Sequence, residues 1–111
     1  MSRARRKIHS LDTEERAIIR TWDHQENAPM VAKHYATTLH VSSGTLQVYS
    51  RTLLPIGELL HIDVSLQGQD EPHSLKGVAR AAYRSDDDSG YVISLELIPD
   101  NNALLWRRQF H

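Results

Sequence analysis

Residues 38–50 read TLHVSSGTLQVYS, two short alternating runs joined by the polar SSGT. Upstream, in HYATTLHVS, the positions Tyr35, Thr37, Leu39 and Val41 alternate with Ala36, Thr38, His40 and Ser42, a two-residue repeat rich in β-branched side chains. That repeat predicts a strand with the first set against a core and with His40 and Ser42 sharing the opposite face. Downstream, GTLQVYS predicts a second strand with Leu46 and Val48 inward. The stretch is a hairpin, and the fold turns on whether its alternation continues.

It does. IGELLHIDVSLQ gives a third strand, with Ile56, Leu60, Ile62, Val64 and Leu66 inward and Glu58 as the polar exception. HSLKGVARAAYRS and GYVISLELI give a fourth and a fifth, joined by the polar turn DDDSG, and the last buries Tyr91, Ile93, Leu95 and Leu97.

Helical signals flank these strands. In SLDTEERAIIRTW, Asp12 has capping chemistry, Glu15 follows three positions later and Leu11 lies just outside, which predicts a short helix from Thr13 to Trp22. DHQENAP then reads as a loop. After Pro99, Asp100 or Asn101 can cap a second helix with Leu105, Trp106 and Phe110 on its apolar edge. Arg107, Arg108 and His111 suit the negative end of its dipole. The fold class is mainly β. Five or six antiparallel strands with one apolar face are expected to close into a small barrel, because an open sheet would leave its edges unpaired.

Composition narrows the chemistry. With 111 residues, 40% apolar and 24% charged, the chain matches one globular domain, here assigned to residues 14–111 behind a basic tail at 1–13. No apolar run approaches the roughly 18 residues of a membrane span, and no signal peptide precedes the domain, so a cytoplasmic protein without membrane insertion is expected. The net charge of −1 does not supply the field that non-specific nucleic-acid binding uses. SRARRKIH at residues 2–9 concentrates four cations, which suit a solvated tail or an anion-docking arm. The absence of cysteine removes disulfides, thiol nucleophiles and thiolate zinc sites.

The seven histidines are scattered, and His34 and His40 on one strand would stand about 20 Å apart, too far to share an ion. DDDSG lacks the ligand loop of an EF-hand. No nucleophile with an oriented base and no phosphate-cradling glycine loop can be read, so neither an enzyme nor a cofactor is expected.

LHVSSGTLQV, GELLHIDVSL, HSLKGVARAAY and GYVISLELI, in that order, resemble the PilZ domain over roughly residues 14–110. The resemblance implies a six-stranded barrel that binds the bacterial second messenger cyclic di-GMP. In that family the ligand is held by an R-x-x-x-R segment and, about twenty residues later, a [D/N]-x-S-x-x-G segment on the outer surface. RAIIR supplies Arg16 and Arg20; HVSSGT supplies Ser42, with His40 in place of the acid or amide and Thr45 in place of the final glycine. Ser94 stands where the last strand of the family usually has glycine.

Guanidinium groups suit such a ligand, because they take phosphate or the guanine O6/N7 edge bidentately and stack on bases. Neutral His40 offers one acceptor and cannot reproduce the bidentate pair of a carboxylate with guanine N1–H and N2–H. If the family glycine has positive φ, Thr45 requires a rebuilt turn or a neighbouring Gly44 that takes that conformation. Two readings stay open: a receptor that binds cyclic di-GMP through Arg16, Arg20, His40, Ser42 and Thr45 and passes the signal to a protein partner, and a degenerate adaptor acting only through protein contacts.

Overall fold

The alternation read from residues 45–50 is realised residue by residue: Leu46, Val48 and Ser50 are buried, and Gln47 and Tyr49 face outward. The structure, a computed structural model, describes residues 10–12, 16–23, 30–66, 68–100 and 103–110. Its strands are β1 (Ser10–Asp12), β2 (Arg16–Asp23), β3 (Met30–Ser42), β4 (Thr45–Ser50), β5 (Leu59–Val64), β6 (His73–Arg84) and β7 (Tyr91–Leu97), followed by the helix α1 (Leu104–Arg107). All pairings between these strands are antiparallel. In the order β3-β2-β5-β6-β7-β4 the sheet returns to β3, which makes a closed six-stranded barrel. Closure removes the edges that an open sheet would expose.

β1 continues the sheet beside β3, with Leu11 facing Val41 and Asp12 facing His40. Its residues, assigned to the tail in the sequence, are thus paired with the barrel.

The predicted N-terminal helix is not formed where the chain is described: Arg16–Asp23 is a strand. Ala17 and Ile19 are fully buried and Arg16, Ile18 and Arg20 alternate with them outside, a period of two rather than 3.6. β2 runs between β3 and β5, so its backbone groups are satisfied on both edges. A lone helix of about ten residues cannot match that, being marginal in water whatever its cap. The expected cap Asp12 belongs to β1, whereas Thr13, Glu15 and most of the predicted loop lie outside the described residues.

β3 also departs from the expected phase. Thr38 faces Val48 and His40 faces Gln47, so Leu39 is an extra residue, a β-bulge. Before the bulge Ala36 and Thr38 point inward, and after it Val41 does. Tyr35 and Thr37, expected in the core, therefore lie outside, Tyr35 with 69% of its surface exposed. A second bulge leaves Arg80 unpaired between Ala79 and Ala81 on β6.

Ile19, Leu46, Leu60, Ile62, Ile93 and Leu95 fill the barrel, and Trp106 and Phe110 pack on the same core. Trp106 is fully buried, and its ring sits 5.3 Å from His73 and 5.1 Å from Phe110. Asp100 Oδ1 accepts from the Ala103 N–H in the turn that leads into α1, whose own N-cap, Ala103, carries no side-chain cap. Ile56, expected inside, is half exposed because the strand begins only at Leu59; Ile56 and Gly57 instead bridge to Ala79.

Candidate functional site

Two rows of outward residues cross the wall formed by β2, β3, β4 and β7. In the first, Arg16 faces Thr37, Thr37 faces Tyr49 and Tyr49 faces Val92. In the second, His40 faces Gln47 and Gln47 faces Ser94. The buried row of Thr38, Val48 and Ile93 separates them. Gln47 and Tyr49 are two apart, so the rows lie about 7 Å from one another along β4. Both elements of the R-x-x-x-R and H-x-S-x-x-T pattern thus reach one outer wall, although 20 or more positions separate them in the chain.

Each row opens into a depression of about 520 Å³. The second is lined by His40, Thr45, Gln47, Arg80, Ser94 and Glu96. The bulge on β6 presents Arg80 beside Ser94 of β7, and the Arg80 guanidinium donates to Glu96 Oε1 at 2.7 Å. This depression therefore carries its own anion for its own cation.

The turn between β3 and β4 is also self-satisfied. The Thr45 N–H donates to Ser42 Oγ at 3.1 Å, and the two hydroxyl oxygens are 2.7 Å apart. Ser42 Oγ also lies 3.3 Å from the Thr45 carbonyl. The hydroxyl that Ser42 brings to the motif is spent on closing the turn. Neither Thr45 nor Gly44 has positive φ, so the turn is rebuilt without a left-handed residue. Trp106 Nε1–H donates to the Ser42 carbonyl at 2.8 Å, and the Leu97 N–H donates to the Gly44 carbonyl at 2.9 Å. The motif turn is thereby tied to the C-terminal helix and to the last strand.

The two arginines of RAIIR point to the same outer side, as they would on a helix, but by strand alternation and about 13 Å apart. Arg20 forms an ion pair with Asp63 of β5, which is more sheltered than Arg20 itself. Arg16 is exposed and lines the first depression with Tyr35, Ala36, Thr37, Tyr49 and Arg51. The structure thus brings His40 and Thr45 together, sets Arg16 in the neighbouring row, engages Ser42 in its own turn and pairs Arg20 elsewhere.

Tyr35, Tyr49 and Arg51 were not among the expected site residues. Tyr49 and Arg51 were within reach of the alternation, since Leu46 and Val48 inward put Gln47, Tyr49 and Arg51 outward. Tyr35 was hidden by the bulge at Leu39.

The acidic turn between β6 and β7 supports this wall. Asp87 accepts from Ser85 Oγ, Ser89 Oγ and the Ser89 N–H, which hold its carboxyl down to about 2. Ser89 in turn lies 2.6 Å from the Tyr49 hydroxyl. Under the opposite end of the barrel, burial lowers the His73 pKa below its usual 6.5 beside Trp106. Among the described residues no group of three or more His, Asp or Glu side chains could hold a metal ion, and no helix is long and apolar enough to cross a membrane.

No protein-family model matches the chain, and no similar protein is found among curated sequences. Among solved structures it is similar to the Bacillus subtilis inhibitor of motility (MotI/DgrA), with a TM-score of 0.61 and 15% identity. The likeness covers 97% of this chain and 49% of that one, so the chain spans about half the length of its structural neighbour. At this identity the likeness is one of fold. The architecture is a six-stranded closed antiparallel barrel of the PilZ-like kind.

Proposed function

We propose that this barrel is a cytoplasmic receptor for cyclic di-GMP that passes its state to a protein partner, and that it acts as an adaptor rather than an enzyme. The observation that carries the reading is the convergence of Arg16 and the His40–Thr45 turn on adjoining rows of one outer wall. A dinucleotide with two phosphates and two guanines is long enough to address both rows, and Arg16 has no carboxylate within ion-pair distance among the described residues. Ligand phosphate competes with Asp63 for Arg20. That exchange costs little, because a partly exposed ion pair contributes about 0–1 kcal/mol.

The route to a partner runs through the turn. Trp106 joins the Ser42 carbonyl to α1, which presents Leu104 and Leu105 to solvent with 43% and 62% of their surface exposed. A ligand that moves the turn moves that helix. One similar solved structure is that of an inhibitor of motility, which is in keeping with an adaptor reading.

A second reading, the nucleotide-free adaptor, draws on the engaged states of Ser42, Arg20 and Arg80. Calorimetric titration of cyclic di-GMP into the wild type and an Arg16→Ala, Arg20→Ala double variant separates the two. Micromolar or tighter binding lost in the variant supports the receptor. No heat in the wild type leaves the adaptor.

A further inference from the structure

The depression around Arg16 differs from a spare patch of barrel surface in three respects. Among the described residues its cations, Arg16 and Arg51, are exposed and have no acid partner, and none of those that line it carries a carboxylate. Its aromatic rings lie on the outward side of two adjacent strands, where Tyr35 exposes 69% of its surface. One ring is fixed: the Tyr49 hydroxyl is held by Ser89 at 2.6 Å, and Gly90 packs so closely on Tyr49 that an added Cβ would lie 2.9 Å from the hydroxyl.

The arrangement follows from register. Arg16, Thr37 and Tyr49 form a straight row over three strands. Tyr35 lies two residues along β3 on the same face. Arg51 follows Ser50, which faces Ala36, and so reaches the level of Tyr35. Directly opposed side chains in such rows have Cβ atoms about 5 Å apart, which places two phenol rings and two guanidinium groups around one space.

Phenol rings accept the face of a base, and guanidinium groups take phosphate or the O6/N7 edge of guanine. We infer that Tyr35, Tyr49 and Arg51, with Arg16, seat one base-and-phosphate half of a guanine nucleotide. This deepens the receptor reading and rests on it for the identity of the full ligand. Binding is centred on the tyrosine row, and the His40–Thr45 row borders it.

The test titrates cyclic di-GMP and, separately, GMP into the wild type, Tyr35→Ala, Tyr35→Phe and Arg51→Ala. Circular dichroism melts verify folding, which these exposed positions leave unchanged. Tyr35→Ala and Arg51→Ala are each expected to weaken cyclic di-GMP binding about tenfold, whereas Tyr35→Phe keeps the ring and stays near wild type. GMP is expected to bind more weakly with the same dependence.

Cyclic di-GMP binding that is equal in all four proteins would overturn the subsite and leave the receptor standing. GMP binding that depends on Tyr35 and Arg51, with no binding of cyclic di-GMP, would support the subsite and sink the receptor. Failure of both nucleotides to bind the wild type would sink both.

Discussion

The two depressions on the outer wall have the same volume and share strands β3 and β4, yet they differ in what their polar groups have left to offer. Around His40 and Thr45, Arg80 is matched by Glu96, and the neighbouring turn spends the Ser42 hydroxyl on Thr45. Around Tyr35 and Tyr49, two exposed arginines lack acid partners among the described residues. A motif position supplies a ligand with nothing if its hydrogen bonds are already made, since a new bond then only replaces an old one. Spare capacity, more than match to a pattern, distinguishes the second surface from the first.

Each depression also rests on one structural prop, and removing the props is the strongest way to break the comparison. Trp106 anchors the motif turn and fills the space under it. Trp106→Ala should cost about 3–5 kcal/mol in a denaturant melt, because a fully buried indole leaves a large cavity. Trp106→Phe should cost less, about 1–2 kcal/mol, and should shift the amide resonances of Ser42 and Ser43, reporting the lost bond to the Ser42 carbonyl. Amide shifts confined to α1 would contradict the link.

Gly90 supports the other side. A Cβ there would lie 2.6 Å from the Ser50 carbonyl oxygen, so the β6–β7 turn must move away from Tyr49. Gly90→Ala should lose about 1–3 kcal/mol of stability. It should weaken cyclic di-GMP binding while leaving the amides of residues 42–45 unchanged. Unaltered affinity would show that the seat of Tyr49 is irrelevant to the ligand.

A smaller effect sharpens the role of Arg20. Asp63→Asn removes the anion that holds it, with a stability change of about 1 kcal/mol for a partly exposed pair. Affinity for cyclic di-GMP should rise a few-fold by calorimetry. A fall would mean that Asp63 positions Arg20 instead of competing for it.

The smallest effect is a dependence on pH. Burial lowers the folded-state pKa of His73 below its unfolded value of 6.5, so protons favour the unfolded chain. The contribution is fully present above pH 6.5 and is lost as pH falls below it. His73→Phe should flatten that part of the stability profile, measured by melts between pH 5 and about 8, without changing the tyrosine depression.

The barrel was legible where alternation ran unbroken. Leu46 and Val48, Leu60 through Val64, and Ile93 through Leu97 all lie inside as their spacing demands. It was illegible where a neighbour overrode a local signal. The cap before RAIIR speaks only for a lone helix, while β3 and β5 offer that segment hydrogen bonds on both sides. The bulge at Leu39 has no mark in the residue pattern, and it reverses which of Tyr35 and Ala36 is buried.

For the candidate site, the sequence singled out Arg16 and His40, which register sets in adjoining rows of one wall, and said nothing of how Ser42 or Arg20 would be engaged. Those partners, Thr45 and Asp63, are set by turn closure and strand register. Tyr49 and Arg51 were readable as outward residues but matched no pattern that marked them for chemistry.

The most direct measurement is an amide and side-chain NMR titration of the full chain with cyclic di-GMP. Saturable shifts centred on Arg16, Tyr35, Thr37, Tyr49 and Arg51, with smaller ones spreading through Ser42 to Trp106, are the predicted result. Shifts absent from that row, or confined to the surface around Arg80 and Glu96, would contradict it.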